Sequence, residues 1–238
     1  MKEVDLRTSE IRKALIKVDS NINSVVNNIK KSDKFSDILL LIKDAFKPLV
    51  DIEGKVNDYH DLAAKIRGEF KDIGVDLLYL KDDVELINSL SSSNKAMMES
   101  IRGEYEARIT SLIFASKLSG VEDSTIQAQA SALVIPNKKI AGRAIKGVLD
   151  TEVETFIMEA DATIMLKKGQ EAGITSYKYI GSLIKDSRPW CVKHLNKTLT
   201  EEQIQEWNKS RWKGKKSGNP FIARGGWRCR HHFAPTVG

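Results

Sequence analysis

PWCVKHLNKTLTEEQIQEWNKSRWKGKKSGNPFIARGGWRCRHHFAPTVG, residues 189–238, is the stretch on which the reading of this chain turns. It holds both cysteines, Cys191 and Cys229, all four tryptophans, and three of the four histidines, His194, His231 and His232. The residues before it contain no Cys and no Trp. So sharp a change of composition marks a unit with its own chemistry. It divides the 238 residues into a long helical part and a small Cys/His/Trp-rich module.

Two clusters carry that chemistry: Cys191-x-x-His194 and Cys229-Arg230-His231-His232. Zinc favours thiolate and imidazole ligands in a tetrahedron, and structural sites are usually assembled from two short clusters. A Cys-x-x-His turn can aim two ligands at one point. A Cys-x-His pair in an extended chain puts both on one side. The expected site is Cys191, His194, Cys229 and His231, with His232 as the alternative ligand. The residues alone also allow a Cys191–Cys229 disulfide, or two buried thiols acting as small hydrophobes.

Charge is concentrated in the same stretch. Residues 189–238 carry six Lys and four Arg against three Glu, a net +7, whereas the whole chain is +6, so the preceding residues come to −1. Lys209, Arg211, Lys213, Lys215, Lys216, Arg224 and Arg228 lie among tryptophans and glycines. That pattern suits a phosphate backbone through charge neutralisation and stacking, and equally suits a solvated loop.

Certain residues together resemble a family. They are Tyr177-Lys178-Tyr179-Ile180-Gly181, Asp186-Ser187-Arg188-Pro189-Trp190-Cys191, Gly225-Gly226-Trp227-Arg228-Cys229-Arg230-His231, and Phe233-x-Pro235. Their order and separation are similar to the C-terminal module of phage head-morphogenesis proteins, the Mu F-like minor head proteins of tailed bacteriophages. The resemblance covers about residues 150–238; residues 1–149 carry none. It implies a non-enzymatic structural protein of the virion, assembled in the host cytoplasm. Its partners would be the portal or the major capsid protein, and its basic surface would meet packaged double-stranded DNA. Asp186, Arg188 and Arg230, with Trp190 and Trp227, are expected to order the loops around the cluster.

Upstream, the pattern is helical. Ile11, Leu15, Val18, Ile22, Val25 and Ile29 alternate steps of four and three, as do Ile52, Val56, Tyr59, Ala63, Ile66 and Phe70. A helix between them is expected to stop before Pro48, and Gly74 to end the second seam. Leu77, Leu80, Val84 and Ile87 continue on another helix. Ser91-Ser92-Ser93-Asn94 reads as a polar break before Met97, Ile101, Tyr105, Ile109, Leu112 and Ile113, ending near Gly120. His60 reads as a surface residue. The seams suit an antiparallel bundle within the chain, or self-association with other copies.

Residues 121–173 read as linking helices, with a short basic segment from Lys138 to Val148. A helix from Thr151 to Lys168 would open on a Thr151/Glu154 capping box and close at Gly173. Beyond it, residues 175–180, 221–222 and 227–233 read as strands, and Thr200 as the cap of a short helix. The expected organisation is therefore mainly α: a helical bundle or coiled-coil region over 1–120, linking helices over 121–173, and a small basic α+β module over 174–238.

No apolar run reaches the length of a membrane span, and the first residues lack the apolar core of a signal peptide. Two other functions remain open on the sequence: a zinc-dependent nuclease of the HNH type using His231 or His232, and a non-catalytic helical adaptor of the head–tail connector or tail.

Overall fold

The computed structural model describes residues 2–78, 81–136 and 144–237. Leu80 of the third seam and residues 138–143 of the basic segment lie outside the described residues. The helices in chain order are α1 (Lys2–Asn28), α2 (Phe35–Ala45), α3 (Lys47–Val50), α4 (Glu53–Val56), α5 (His60–Asp72), α6 (Lys81–Leu118), α7 (Asp123–Val134), α8 (Ile145–Glu171), α9 (Pro189–His194), α10 (Glu201–Gln205) and α11 (Pro220–Ala223). The strands are β1 (Ser176–Ile180), β2 (Thr198–Thr200) and β3 (His232–Thr236), forming an antiparallel sheet in the order β2-β1-β3. The chain is thus mainly helical with one small sheet, and none of the described helices is long and apolar enough to cross a membrane.

The chain separates into two compact units, residues 1–57 with 92–153 and residues 58–91 with 154–238. These interleave along the sequence, unlike the consecutive segments expected.

In the first unit α1 lies against α2, α3, α4 and α7. Its buried line is Ile11, Leu15, Val18, Ile22, Val26 and Ile29. Val26 replaces the expected Val25, because an α-helix turns once every 3.6 residues and drifts off a strict seven-residue repeat. α2 stops at Ala45, and Pro48 sits in the first turn of α3, where its missing N–H costs nothing. The polar run 91–94 does not break the chain. It lies inside α6, where Asn94 is buried and donates to Asn57 Oδ1 at 2.5 Å. Arg102 on α6 pairs with Glu53 of α4 and lies 3.4 Å from Glu106. Burial pushes both carboxyl groups above their ordinary range, while Arg102 pulls them down; Glu99 and Lys95 act further on Glu53, and Lys43 on Glu106.

In the second unit the seam continues as Tyr59, Ala63, Ile66 and Phe70, all buried, with Tyr59 against Phe156 of α8. The seam is not one helix. The chain breaks after α4, and the His60 N–H is taken by Asp58 Oδ1 at 3.0 Å, while His60 itself is exposed. α8 begins at Ile145, not Thr151, so the capping-box spacing falls in a helix interior. The Thr151 hydroxyl donates to the Gly147 carbonyl at 2.8 Å, and Glu154 is released for another task. Ile174 and the sheet follow Gly173, whose φ of +70° closes the helix as expected. β1 was legible, whereas residues 221–222 lie in α11, opened by Asn219, whose side chain accepts from the Phe221 N–H at 2.9 Å. β3 begins only at His232. The Thr200 cap forms, with Gln203 completing a capping box.

Replacing Arg102 by Met leaves Glu53 and Glu106 without their shared cation. The expected loss is about 3 kcal/mol at pH 7. A carboxyl raised in the folded state binds its proton there first, so its stability contribution is present below the ordinary carboxylate pKa and lost as pH rises through the shifted range. The deficit of R102M in urea unfolding should therefore narrow towards pH 4. A deficit equal at both pH values would trace it to lost packing.

Candidate metal centre

β1 alternates, and this turns Tyr177 and Tyr179 onto the buried face of the sheet. Tyr179 is paired in register with Phe233 of β3 and packs against it, with ring centroids 5.0 Å apart. Tyr177 reaches α8 at Gly169, where a Cβ would stand 2.0 Å from its hydroxyl, so only glycine fits. α9 opens with Pro189 in its first turn and buries Cys191. Loop 224–231 then brings Cys229 and His231 beside it.

Two carboxylates of α8 hold that loop. Arg224, only 1 % exposed, donates to Asp161 Oδ2 at 2.8 Å and to the His231 carbonyl at 2.9 Å. Glu154, also buried, takes the Arg228 Nε at 2.5 Å and the Arg230 Nε at 3.0 Å. Arg224 and Arg228 have φ of 50° and 55°, unusual for residues with a Cβ. Such strain persists where surrounding contacts over-determine it, and these ion pairs do so.

At the centre, Cys191 Sγ and Cys229 Sγ are 3.8 Å apart, and Cys229 Sγ is 3.7 Å from His231 Nδ1. The Tyr179 hydroxyl is 3.6 Å from Cys191 Sγ and 3.3 Å from Cys229 Sγ. With metal–sulfur bonds of about 2.3 Å, a tetrahedral zinc holds its sulfurs about 3.8 Å apart. The spacing therefore fits that ion, with the phenol oxygen near the remaining vertex. The ligand atoms of Cys191, Cys229 and His231 all lie within 4.8 Å of one another and could hold a metal. His231 Nε2 is buried without a hydrogen-bond partner among the described residues, while the ring stacks on Tyr179 at 5.3 Å. Gly225 closes the centre from above. A Cβ there would stand 2.3 Å from Cys191 Sγ and 2.8 Å from Cys229 Sγ.

Cys229 is held well below the usual thiol range, first by the Cys191 thiol donating to it and then by His231 and Tyr179, against the cost of burial. Cys191 is pushed up by that same donation and by burial. Burial and the two sulfurs push the Tyr179 phenol up as well.

Two expected ligands lie elsewhere. His194 is buried, but its Nδ1 contacts the Trp190 carbonyl at 2.7 Å and its ring packs between Trp190 and Trp207. In α9 the Cys-x-x-His spacing is helical, and the carbonyl one turn back captures the imidazole. Burial, the largest influence, holds its pKa down. His232 follows His231 in the extended chain, so it points to the other side. There burial lowers it to about 4, with Asp161 opposing and Arg224 and Lys65 reinforcing.

The basic residues do not make one free surface. Arg224 is interior, a correction to its expected role at nucleic acid: its two terminal amino groups donate to Asp161 and to backbone carbonyls. Lys215 donates to the carbonyls of Trp207, Asn208 and Ser210 at 3.0, 2.9 and 2.7 Å. Lys216 pairs with Glu159, Lys209 with Glu206, and Arg228 with Glu154. Arg211 and Lys213 are exposed. Arg188 donates to the Trp227 carbonyl at 2.5 Å, and among the described residues no ion pair joins it to the exposed Asp186. Trp190 stacks on Trp212 at 4.2 Å, and Trp227 is 38 % exposed. The sequence pointed to no role at the centre for Tyr179, Asp161 or Gly225, and it placed Glu154 in a capping box instead. The period-two spacing of Tyr177 and Tyr179 was a signal for the first, whereas Asp161 looked like an ordinary polar position of α8.

Comparison of the chain with known protein families, curated proteins and solved structures found no match in any of the three.

Gly225→Ala drives a methyl into both sulfurs. Overpacking of this kind typically costs about 1–3 kcal/mol, and here the upper end is expected. Because every tryptophan lies in this module, thermal unfolding followed by tryptophan emission reports it directly. An unchanged midpoint would mean that the loop relaxes freely.

Proposed function

We propose that this chain is a structural, non-enzymatic assembly protein of a tailed-phage head, with a C-terminal module stapled by one zinc ion. What supports the reading is one observation. The segments that carry the resemblance to Mu F-like minor head proteins, far apart in sequence, meet at one buried centre: Tyr179 from the first, Cys191 from the second, and Gly225, Cys229 and His231 from the third.

Cys191, Cys229 and His231 would hold the ion, with the Tyr179 oxygen completing four protein ligands. Bound there, zinc supplies cross-linking energy that is folding energy. The centre is enclosed by Gly225, Tyr179 and the sheet, as structural sites are and catalytic sites, which keep an open position, are not. Asp186, Glu201 and Glu202, the acids considered for a nuclease, are not among the groups gathered at the centre. The partners in this reading are the portal or the major capsid protein, with packaged DNA beyond.

Two measurements test it. Native mass spectrometry should find one zinc per chain. A strong chelator should remove it and lower the midpoint of the tryptophan-reported transition. Absence of metal with both thiols free would overturn the zinc staple. Independently, the chain should be present at low copy in tailed particles, or their empty precursors, purified from cells producing the phage that encodes it. Absence from both would overturn the virion role.

A further inference from the structure

Beside the buried centre the second unit carries an open groove that the metal reading does not use. One wall is the stacked pair Trp190–Trp212, nearly parallel at 6° with centroids 4.2 Å apart. Trp227, the most exposed of the four indoles, stands on the same groove with Lys216 Nζ 4.7 Å from its ring centroid. Arg188, Lys193, Lys213, Arg228 and Arg230 also line it, and Asp186 is the one acid in the lining.

The cations are held in place from beneath. Arg188 is fixed by the Trp227 carbonyl, and Arg228 and Arg230 by Glu154. Each of these contacts occupies only part of a guanidinium that carries five N–H donors. Lys193 and Lys213 are exposed and have no ion pair among the described residues. The groove therefore joins preorganised positive charge to broad aromatic faces.

We propose that this groove binds single-stranded nucleic acid, its phosphates lying along Arg188, Lys213, Arg228 and Arg230 and a base stacking on Trp227. Excess positive charge selects a polyanion, and flat indole faces select one whose bases are unpaired, since every base offers a π-face and duplex bases are already stacked. The site shares Lys213 and Lys216 with the basic run 209–216 marked by sequence but not Lys209 and Lys215, of which the first pairs with Glu206 and the second donates to backbone carbonyls. It does not rest on the virion reading or on zinc.

The test is fluorescence anisotropy of a labelled dT20 strand with the full chain, alongside the matching 20-base-pair duplex, heparin and an abasic 20-mer. dT20 should bind with affinity falling steeply as salt rises, quench tryptophan emission, and outcompete both the abasic strand and the duplex. Trp227→Ala should weaken dT20 at least about tenfold, the scale of one lost stacked base, while leaving heparin binding unchanged. Lys213→Glu should weaken dT20 and the abasic strand alike. Should W227A fold poorly, quenching of the wild-type chain by dT20 but not by the abasic strand is the independent readout. No binding of dT20 at low salt would overturn the proposal. So would equal binding of dT20, duplex and abasic strand without quenching, because the groove would then be only an adsorbing charge.

Discussion

Two carboxylates seven residues apart on one helix, Glu154 and Asp161, govern the C-terminal half of this protein. Seven residues is close to two helical turns, so both face the same way. Between them they hold Arg224, Arg228 and Arg230, and so the loop that delivers Cys229 and His231. Burying a charge is costly unless it is paired and hydrogen-bonded. The Arg224–Asp161 pair meets that condition through the additional His231 carbonyl. The same pairs keep Arg224 and Arg228 in left-handed backbone conformations that a free loop would leave. The contacts that shape the buried centre thereby also set the arginines along the neighbouring groove.

Around that scaffold, chemistry divides by depth. Sulfur, imidazole and phenol sit inside, where burial and neighbouring donors shift the protons of the thiols and the phenol. Indole and guanidinium lie at the rim, where water competes less for flat, weakly hydrated groups than for ammonium ions. Glycine marks a close approach between the layers, at Gly225 over the sulfurs. The helical unit follows a simpler rule. It buries aliphatic seams, and Arg102 with Glu53 and Glu106 makes a three-way charge contact among its helices.

Much of the architecture could be read in advance because apolar periodicity is local. The seams of α1 and α5, the stop before Pro48, the cap at Thr200, the turn at Gly173 and the first strand are each set by a few adjacent side chains. The failures are equally specific. Val26 took the place of Val25 because the helix is straight rather than supercoiled. Ser91–Asn94 joined a long helix, inside which Asn94 donates to a distant amide, Asn57. Residues 221–222 became helical because Asn219 caps Phe221.

By itself the sequence determined that the chain is mainly helical, that both cysteines and three of the four histidines lie in a basic C-terminal module, and that Cys229 and His231 share a side. These follow from composition and from periods of 3.6 and 2. Only tertiary structure decided that Tyr179 and Gly225 complete the centre while His194 and His232 leave it, and that Arg224 is interior. It also decided that residues 58–91 pack with the C-terminal part. The reason is physical: a side chain's partner is chosen by burial and charge among residues far along the chain, 50 positions for Tyr179 and Cys229 and 63 for Arg224 and Asp161, and no local pattern records that choice.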